Sequence, residues 1–390
     1  MSDLIAIADR VLAPTYVRPP VLFTRGQGCW LYDDQGNDYL DMTTGIAVTS
    51  LGHGASAVRE ALHHAADGLI HTSNLFHTEP AIRLAEALTD ASFAEQVFFC
   101  NSGAEAVEGA LKFARLARPG RHEVVYFDQS FHGRTFGALA ATDKPSIQQP
   151  FLPLVPGFRR APFNDDQALA HIDTNVAAVI VEPVQGEGGA RPASDAWLRA
   201  LRARCDATGA LLIADEIQCG LGRTGTLWAH EPSGIFPDIL TLAKPLAGGL
   251  PIGAILLGPA VTPAITPSCH GTTFGGGPVV ATVALAVFER LRQPELLAGV
   301  RRRADTLRAM LTDALGDHLV ALRGRGLLLG VQVDRPAKEV MAAAFEQRLL
   351  VVPAADDIIR ILPPLDAPMD DLAEAVRRLA LVVTSTQRPS

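Results

Sequence analysis

The sequence predicts an α/β fold, with a mostly parallel central sheet in a large domain and a smaller α+β domain beside it. Three observations lead there. Short apolar runs bounded by turn residues recur at 96–100, 123–127, 177–184, 210–214, 239–243 and 252–257. Helical patterns lie between several of them, most clearly at 104–117 and 195–208; strands alternating with helices build parallel sheets, because each crossover helix covers a sheet face. After Phe288 the texture changes to an arginine-rich helical stretch (289–315), a strand-like run (326–333), a further helix (338–348) and a last helix from Asp370. The expected division is therefore 1–55 as an N-terminal segment joining the small domain, 56–285 as the large cofactor-binding domain and 286–390 as the small domain.

A chain of 390 residues that is 48% hydrophobic can bury a sizeable core. Its net charge of −8 gives no long-range attraction to nucleic acid or anionic membrane, so the expected partners are small molecules. The five cysteines, at 29, 100, 205, 219 and 269, are odd in number and far apart, which suits a reduced cytoplasm. Cys100 and Cys219 read as small buried apolar side chains rather than reactive thiols. Residues 245–288 contain no Asp, Glu, Lys or Arg, but glycines and prolines break them up, so they read as deep interior or subunit interface rather than a membrane span.

Along the chain, Leu4, Ile5, Ile7, Ala8, Val11 and Leu12 recur at helical spacing, interrupted by Asp9 and Arg10, which is not the profile of a signal peptide. Residues 30–37 read as a strand and turn. Asn101, Ser102, Gly103 and Ala104 follow a strand and open a helix, whose first free amides can bind a phosphate; Ser102 followed by Glu105 reads first as an ordinary capping box. Phe131, His132, Gly133 and Arg134 offer an aromatic face and a cation in a glycine loop, though on composition alone packing of Phe131 and solvation of Arg134 account for them better than a site role. Residues 182–189 put Glu182, Gln185 and Glu187 in a glycine-rich loop directly after a strand, either a solvated loop or a functional one.

Gly220, Gly222 and Gly225 match the Gly-x-Gly-x-x-Gly dinucleotide pattern, but the preceding strand ends in acids that would repel a pyrophosphate and no clean helix follows. The glycines and hydroxyls of 270–277 could cradle a phosphate as a nest. For Arg360, among aliphatic residues, an outward-facing strand position explains it at least as well as a ligand role; if it faces inward it needs an anion.

The chain has four lysines. Lys112, Lys144 and Lys338 read as solvated, whereas Lys244 ends an apolar strand-like run in a stretch stripped of charge. Asp215 ends a second such run. A lysine amine and a carboxylate at strand ends are what a pyridoxal phosphate enzyme needs: one to hold the aldehyde as a Schiff base, one to keep the pyridine nitrogen protonated.

Taken together, the motifs at 101–106, 131–135, 182–189, 215–218, 222–225, Lys244 and 270–276 resemble, in order and spacing, the class III, fold type I, pyridoxal phosphate aminotransferases, over nearly the whole chain and most closely their acetylornithine branch. The resemblance implies that Lys244 is the Schiff-base lysine and that Asp215 pairs with the pyridinium nitrogen. It implies that Gln218 bonds the ring hydroxyl and that the ring lies between Phe131 and Ile217. Ser102, Gly103, Ala104 and, from a neighbouring subunit, Thr273 would hold the phosphate, making the active unit a homodimer.

By the same resemblance Arg134 holds a substrate carboxylate, Thr272 lines the substrate channel and Arg360 takes the α-carboxylate of glutamate or 2-oxoglutarate. Glu187 neutralises Arg360 when an ω-amine arrives and swings away when an α-carboxylate does. No metal site is expected. The implied reaction moves the δ-amine of N2-acetyl-L-ornithine to 2-oxoglutarate, with succinylornithine, ornithine, 4-aminobutyrate or acetyl-lysine as alternative donors and an intramolecular glutamate-1-semialdehyde aminomutase as the more distant alternative. Two departures from the family pattern stand out: Gly276-Gly277-Pro278 lacks the usual Asn before Pro, and Gly54-Ala55-Ser56 replaces the usual His-Pro.

Overall fold

A computed structural model describes residues 3–385; the ends of the expected N- and C-terminal segments, 1–2 and 386–390, lie outside the described residues. The central sheet has seven strands: β1 (Gln96–Cys100), β2 (Glu123–Phe127), β3 (Phe158–Ala161), β4 (Val176–Val181), β5 (Leu211–Asp215), β6 (Ile239–Leu242) and β7 (Gly253–Leu257). Their spatial order is β1-β7-β6-β5-β4-β2-β3. Only β7 runs against the others, antiparallel to β6 on one side and β1 on the other. The carboxyl ends of the six remaining strands therefore share one edge, where ligands of such sheets bind.

The strands read as continuous apolar runs because both faces are covered. Ala178 and Ile180 of β4 pack with Val107, Ala110 and Phe113 of helix α1 (Gly103–Ala117). Val179 and Val181 point the other way, onto Trp197, Leu198 and Leu201 of helix α2 (Asp195–Thr208). This is the two-residue alternation of a strand, and each such fully buried aliphatic side chain contributes about 1.5–3 kcal/mol.

One strand of the central sheet escaped the sequence reading. β3 is Phe-Arg-Arg-Ala, too polar to stand out, and it can be so because it is an edge strand. Arg159 pairs with Glu123 and Asp173, and Arg160 with Asp143.

The charge-free stretch divides in two. Residues 252–258 are buried, and so is half of helix α3 (Pro278–Leu291), which packs against Ser56–Ala66 and Glu79–Asp90. Its apolar residues surround it, so it lacks the one-sided stripe that marks a surface helix. Much of 259–274 is instead exposed on the chain, including Thr273 and Phe274, so "deep interior" does not describe that part. No helix among the described residues is long and apolar enough to cross a membrane.

C-terminal to α3 come helix α4 (Pro294–Leu315) and a four-stranded antiparallel sheet that carries Arg360 on the strand Ile358–Ile361. Its first strand, Leu319–Arg325, pairs with Leu328–Val333 and was not anticipated, since Arg323, Gly324 and Arg325 break its apolar pattern. Leu349–Leu350 adds in parallel to Asp38–Asp41, joining the N-terminal strands to the C-terminal part of the chain.

Candidate active site

Five strand ends that the motifs follow open into one cavity of about 420 Å³. β5 delivers Asp215, and β6, whose Thr241 is paired with Asp215 in register, delivers Lys244 two residues past its end. β1 leads into Ser102, Gly103 and Ala104, β2 into Phe131 and Arg134, and β4 into Glu182 and Glu187, all in the cavity wall.

Asp215 is 3% exposed and held by three donors. His132 Nδ1 lies 2.6 Å from Oδ2, while Oδ1 accepts from the Thr241 hydroxyl and the Ile217 amide, each at 3.1 Å. A carboxylate so satisfied stays put and keeps a lone pair for one further partner. The sequence places His132 in the glycine loop without pointing to a role; its position beside Phe131 in the loop that follows β2 is the signal available there. Its Nε2 is buried without a hydrogen-bond partner among the described residues, as expected beside a pocket that takes a polar ligand.

Lys244 stands half-buried in the same wall. Burial lowers its amine from the ordinary lysine range, against the pull of Asp215 and Glu187, which favours the neutral, nucleophilic form. The other three lysines are exposed, as read from the sequence.

The Ser102 side chain accepts from Glu105 N at 3.2 Å, so Ser102 caps the helix, and Glu105 reaches back one residue further, accepting from Asn101 N at 2.9 Å. It coexists with the other reading, because the Gly103 and Ala104 amides of the first turn have no intrahelical acceptor. A side chain at 103 would collide with Ile217, only 3.0 Å from where its Cβ would stand.

Arg360 faces inward and is 1% exposed. Its Nη2 donates to Glu187 Oε1 at 2.5 Å and its Nη1 to Gln218 Oε1 at 2.9 Å, which supplies the anion a buried guanidinium requires. Gln218 thus engages Arg360 while lining the cavity. Gly186 has no room for a side chain, because Gln218 fills the space where a Cβ would stand. Arg134 is exposed at the mouth, its guanidinium 6.0 Å from the centre of the Phe131 ring.

Two candidates do not line this cavity within the chain. Thr272 sits one bond behind its wall, its hydroxyl accepting from Asn101 Nδ2 at 3.1 Å. Thr273 lines a separate cavity of about 200 Å³ with His71 and Pro278.

Glu182 accepts from Phe131 N at 3.0 Å and Gly186 N at 3.1 Å, fastening the two loops together. Burial, with Asp215 nearby, pushes its carboxyl up from 4.5 to about 7 despite His132. A carboxyl raised in the native state stabilises the fold fully below its unfolded value and loses that contribution as pH rises through its native one. Thermal stability is therefore expected to fall between pH 4.5 and about 7 with a slope that Glu182→Gln flattens, as melting curves across that range will show.

These residues fit pyridoxal phosphate. First-turn helix amides suit a phosphate, Phe131 and Ile217 give apolar surface for a ring, Asp215 suits a ring nitrogen and Lys244 an aldehyde.

A family model described as Aminotransferase class-III matches residues 11–383. A mitochondrial acetylornithine aminotransferase of Alnus glutinosa is 45% identical over 99% of this chain and 89% of its own length. A succinylornithine transaminase of Salmonella enteritidis PT4 is also 45% identical, over 97% of this chain and 96% of that protein. The crystal structure of N-acetylornithine aminotransferase from Stenotrophomonas maltophilia K279a superimposes with a TM-score of 0.83 at 37% identity, covering 97% of this chain and 98% of that one. A family match spanning almost the whole chain, on a fold whose strand ends gather a lysine, a carboxylate and a helix N-terminus in one cavity, makes this protein a class-III aminotransferase, an enzyme that works through pyridoxal phosphate.

Proposed function

We propose that the chain transfers the δ-amino group of N2-acetyl-L-ornithine to 2-oxoglutarate, giving N-acetyl-L-glutamate 5-semialdehyde and L-glutamate, as in arginine biosynthesis. The observation that carries this reading is the 2.5 Å pair between Arg360 and Glu187 in the wall of the Lys244 cavity. An ω-amine presents no carboxylate beside its reacting carbon, and a buried guanidinium left without an anion would cost several kcal/mol. Glu187 supplies that anion while the donor reacts. The second substrate brings its own α-carboxylate to Arg360.

Pyridoxal phosphate, when bound, supplies an electron sink for the charge left as a proton leaves the amino-bearing carbon. In this reading Lys244 would hold the aldehyde, and its amine, once freed by the substrate amine, would move the proton as general base and acid. Asp215, oriented by His132 and Thr241, keeps the ring nitrogen protonated. Gln218 bonds the ring hydroxyl, Phe131 and Ile217 flank the ring, and Ser102, Gly103 and Ala104 with Thr273 of the partner subunit hold the phosphate. Arg134 holds the donor's own carboxylate and Thr272 borders its channel. The working unit is then a cytoplasmic homodimer, with 1–55 and 286–390 acting as one small domain against 56–285.

A second reading, succinylornithine as donor, is favoured by the equally identical succinylornithine transaminase. Single-amine conversion of the yellow protein, followed by absorbance across acetylornithine, succinylornithine, ornithine and 4-aminobutyrate, is expected to be fastest with acetylornithine. Steady-state rates should give parallel double-reciprocal lines. Intersecting lines would count against transfer in two stages, and turnover without an external keto acid would favour the aminomutase.

A further inference from the structure

Glu187 stands in the wall of two cavities. One is the 420 Å³ cavity of Lys244; the other, of about 730 Å³, touches it only through Phe131 and Glu187 and is lined by Lys144, Ser146, Lys338 and Asp356. Half of the chain's four lysines therefore border a space that opens from the active site at one carboxylate.

When an α-carboxylate reaches Arg360, two anions compete for one buried guanidinium. The surplus negative charge cannot stay in a low-dielectric pocket, so Glu187 must leave. Its side chain is already 27% exposed and bordered by Gly186 and Gly188, and the second cavity is the opening beside it. Lys144 lines that cavity without an ion pair among the described residues, whereas the neighbouring Asp143 is engaged by Arg160 at 3.1 Å.

We propose that Lys144 is a positioning residue for the keto-acid half of the reaction, receiving the Glu187 carboxylate when Arg360 takes the α-carboxylate of 2-oxoglutarate or glutamate. This rests on the reading that Arg360 binds that group. In the present conformation burial raises the Glu187 carboxyl, but Arg360, then Lys244 and Lys144, draw it below its ordinary range, so Lys144 already acts on it across the cavity. Lys338 borders the same cavity, and Asp143 and Asp356 are the carboxylates that line it beside Lys144.

The test uses the cofactor-loaded enzyme. Lys144→Met is expected to raise KM for 2-oxoglutarate, and its calorimetric Kd, about 2- to 5-fold, the range of a partly exposed ion pair. The single-turnover rate with the ω-amine donor should hold, Lys144→Arg should restore the affinity, and Lys338→Met should change neither. In a Glu187→Gln background Lys144→Met should have no effect, because the charge it receives is gone. An equal loss for donor and keto acid, or an effect that survives Glu187→Gln, overturns the proposal. So does a loss confined to succinylornithine, which would assign the cavity to a donor carboxylate. Failure of the underlying reading is separable: Arg360→Met would then leave 2-oxoglutarate binding intact in a chain that keeps Lys144.

Discussion

Replacing Lys244 by alanine is expected to lower kcat by about 10³-fold or more, since it removes the proton-transfer group that works at the reacting carbon. The same change removes the amine that holds the aldehyde, so the visible absorbance of the purified protein should shift or vanish. Folding should survive, because the amine is already disfavoured as a cation in its buried setting. A melting temperature near that of the parent, together with lost turnover and altered absorbance, is the expected result. The three remaining lysines are exposed, and none lies at the end of a sheet strand. If Lys244→Ala retained full activity, the chemistry assigned to this cavity would be wrong.

Asp215→Asn is expected to be nearly as severe, at about 10²- to 10⁴-fold in kcat, with little change in cofactor capture through the phosphate. An amide keeps the size of the carboxylate and can still accept from Thr241 and Ile217, but it has no negative charge to hold a ring nitrogen protonated. The variant also disturbs His132, whose Nδ1 now donates to Asp215 Oδ2 at 2.6 Å. The two consequences can be told apart: a cofactor analogue with a permanently positive ring nitrogen should recover rate in Asp215→Asn if the charge is what matters. Recovery would be absent if the loss came from a displaced His132. Single-turnover kinetics with the same donor measures both.

The extent to which the sequence foretold this arrangement varies with the kind of signal. β4, β5 and β6 announce themselves as unbroken apolar runs, because a central parallel strand is buried on both faces. β3 and Leu319–Arg325 do not, because an edge or partly exposed strand tolerates arginine, and α3 hides because it is apolar on every side. Arg360 shows the same limit at a single residue. Its aliphatic neighbours left open whether it pointed out or in, and only the chain folding back over 142 residues to Gln218 and 173 to Glu187 decides it.

Local sequence determined the strands, the helix caps and the chemical identity of what stands at each strand end, including the one lysine set in a charge-free stretch. Those depend on period, capping and composition, which act over a few residues. Tertiary structure decided which of those ends share a cavity: that His132 braces Asp215, that Gln218 and Glu187 both face Arg360, and that Glu187 opens onto a second space bordered by Lys144. The physical reason is that a buried charge is tolerated only where the fold brings it a partner, and such partners come from distant strands whose pairing no local pattern encodes.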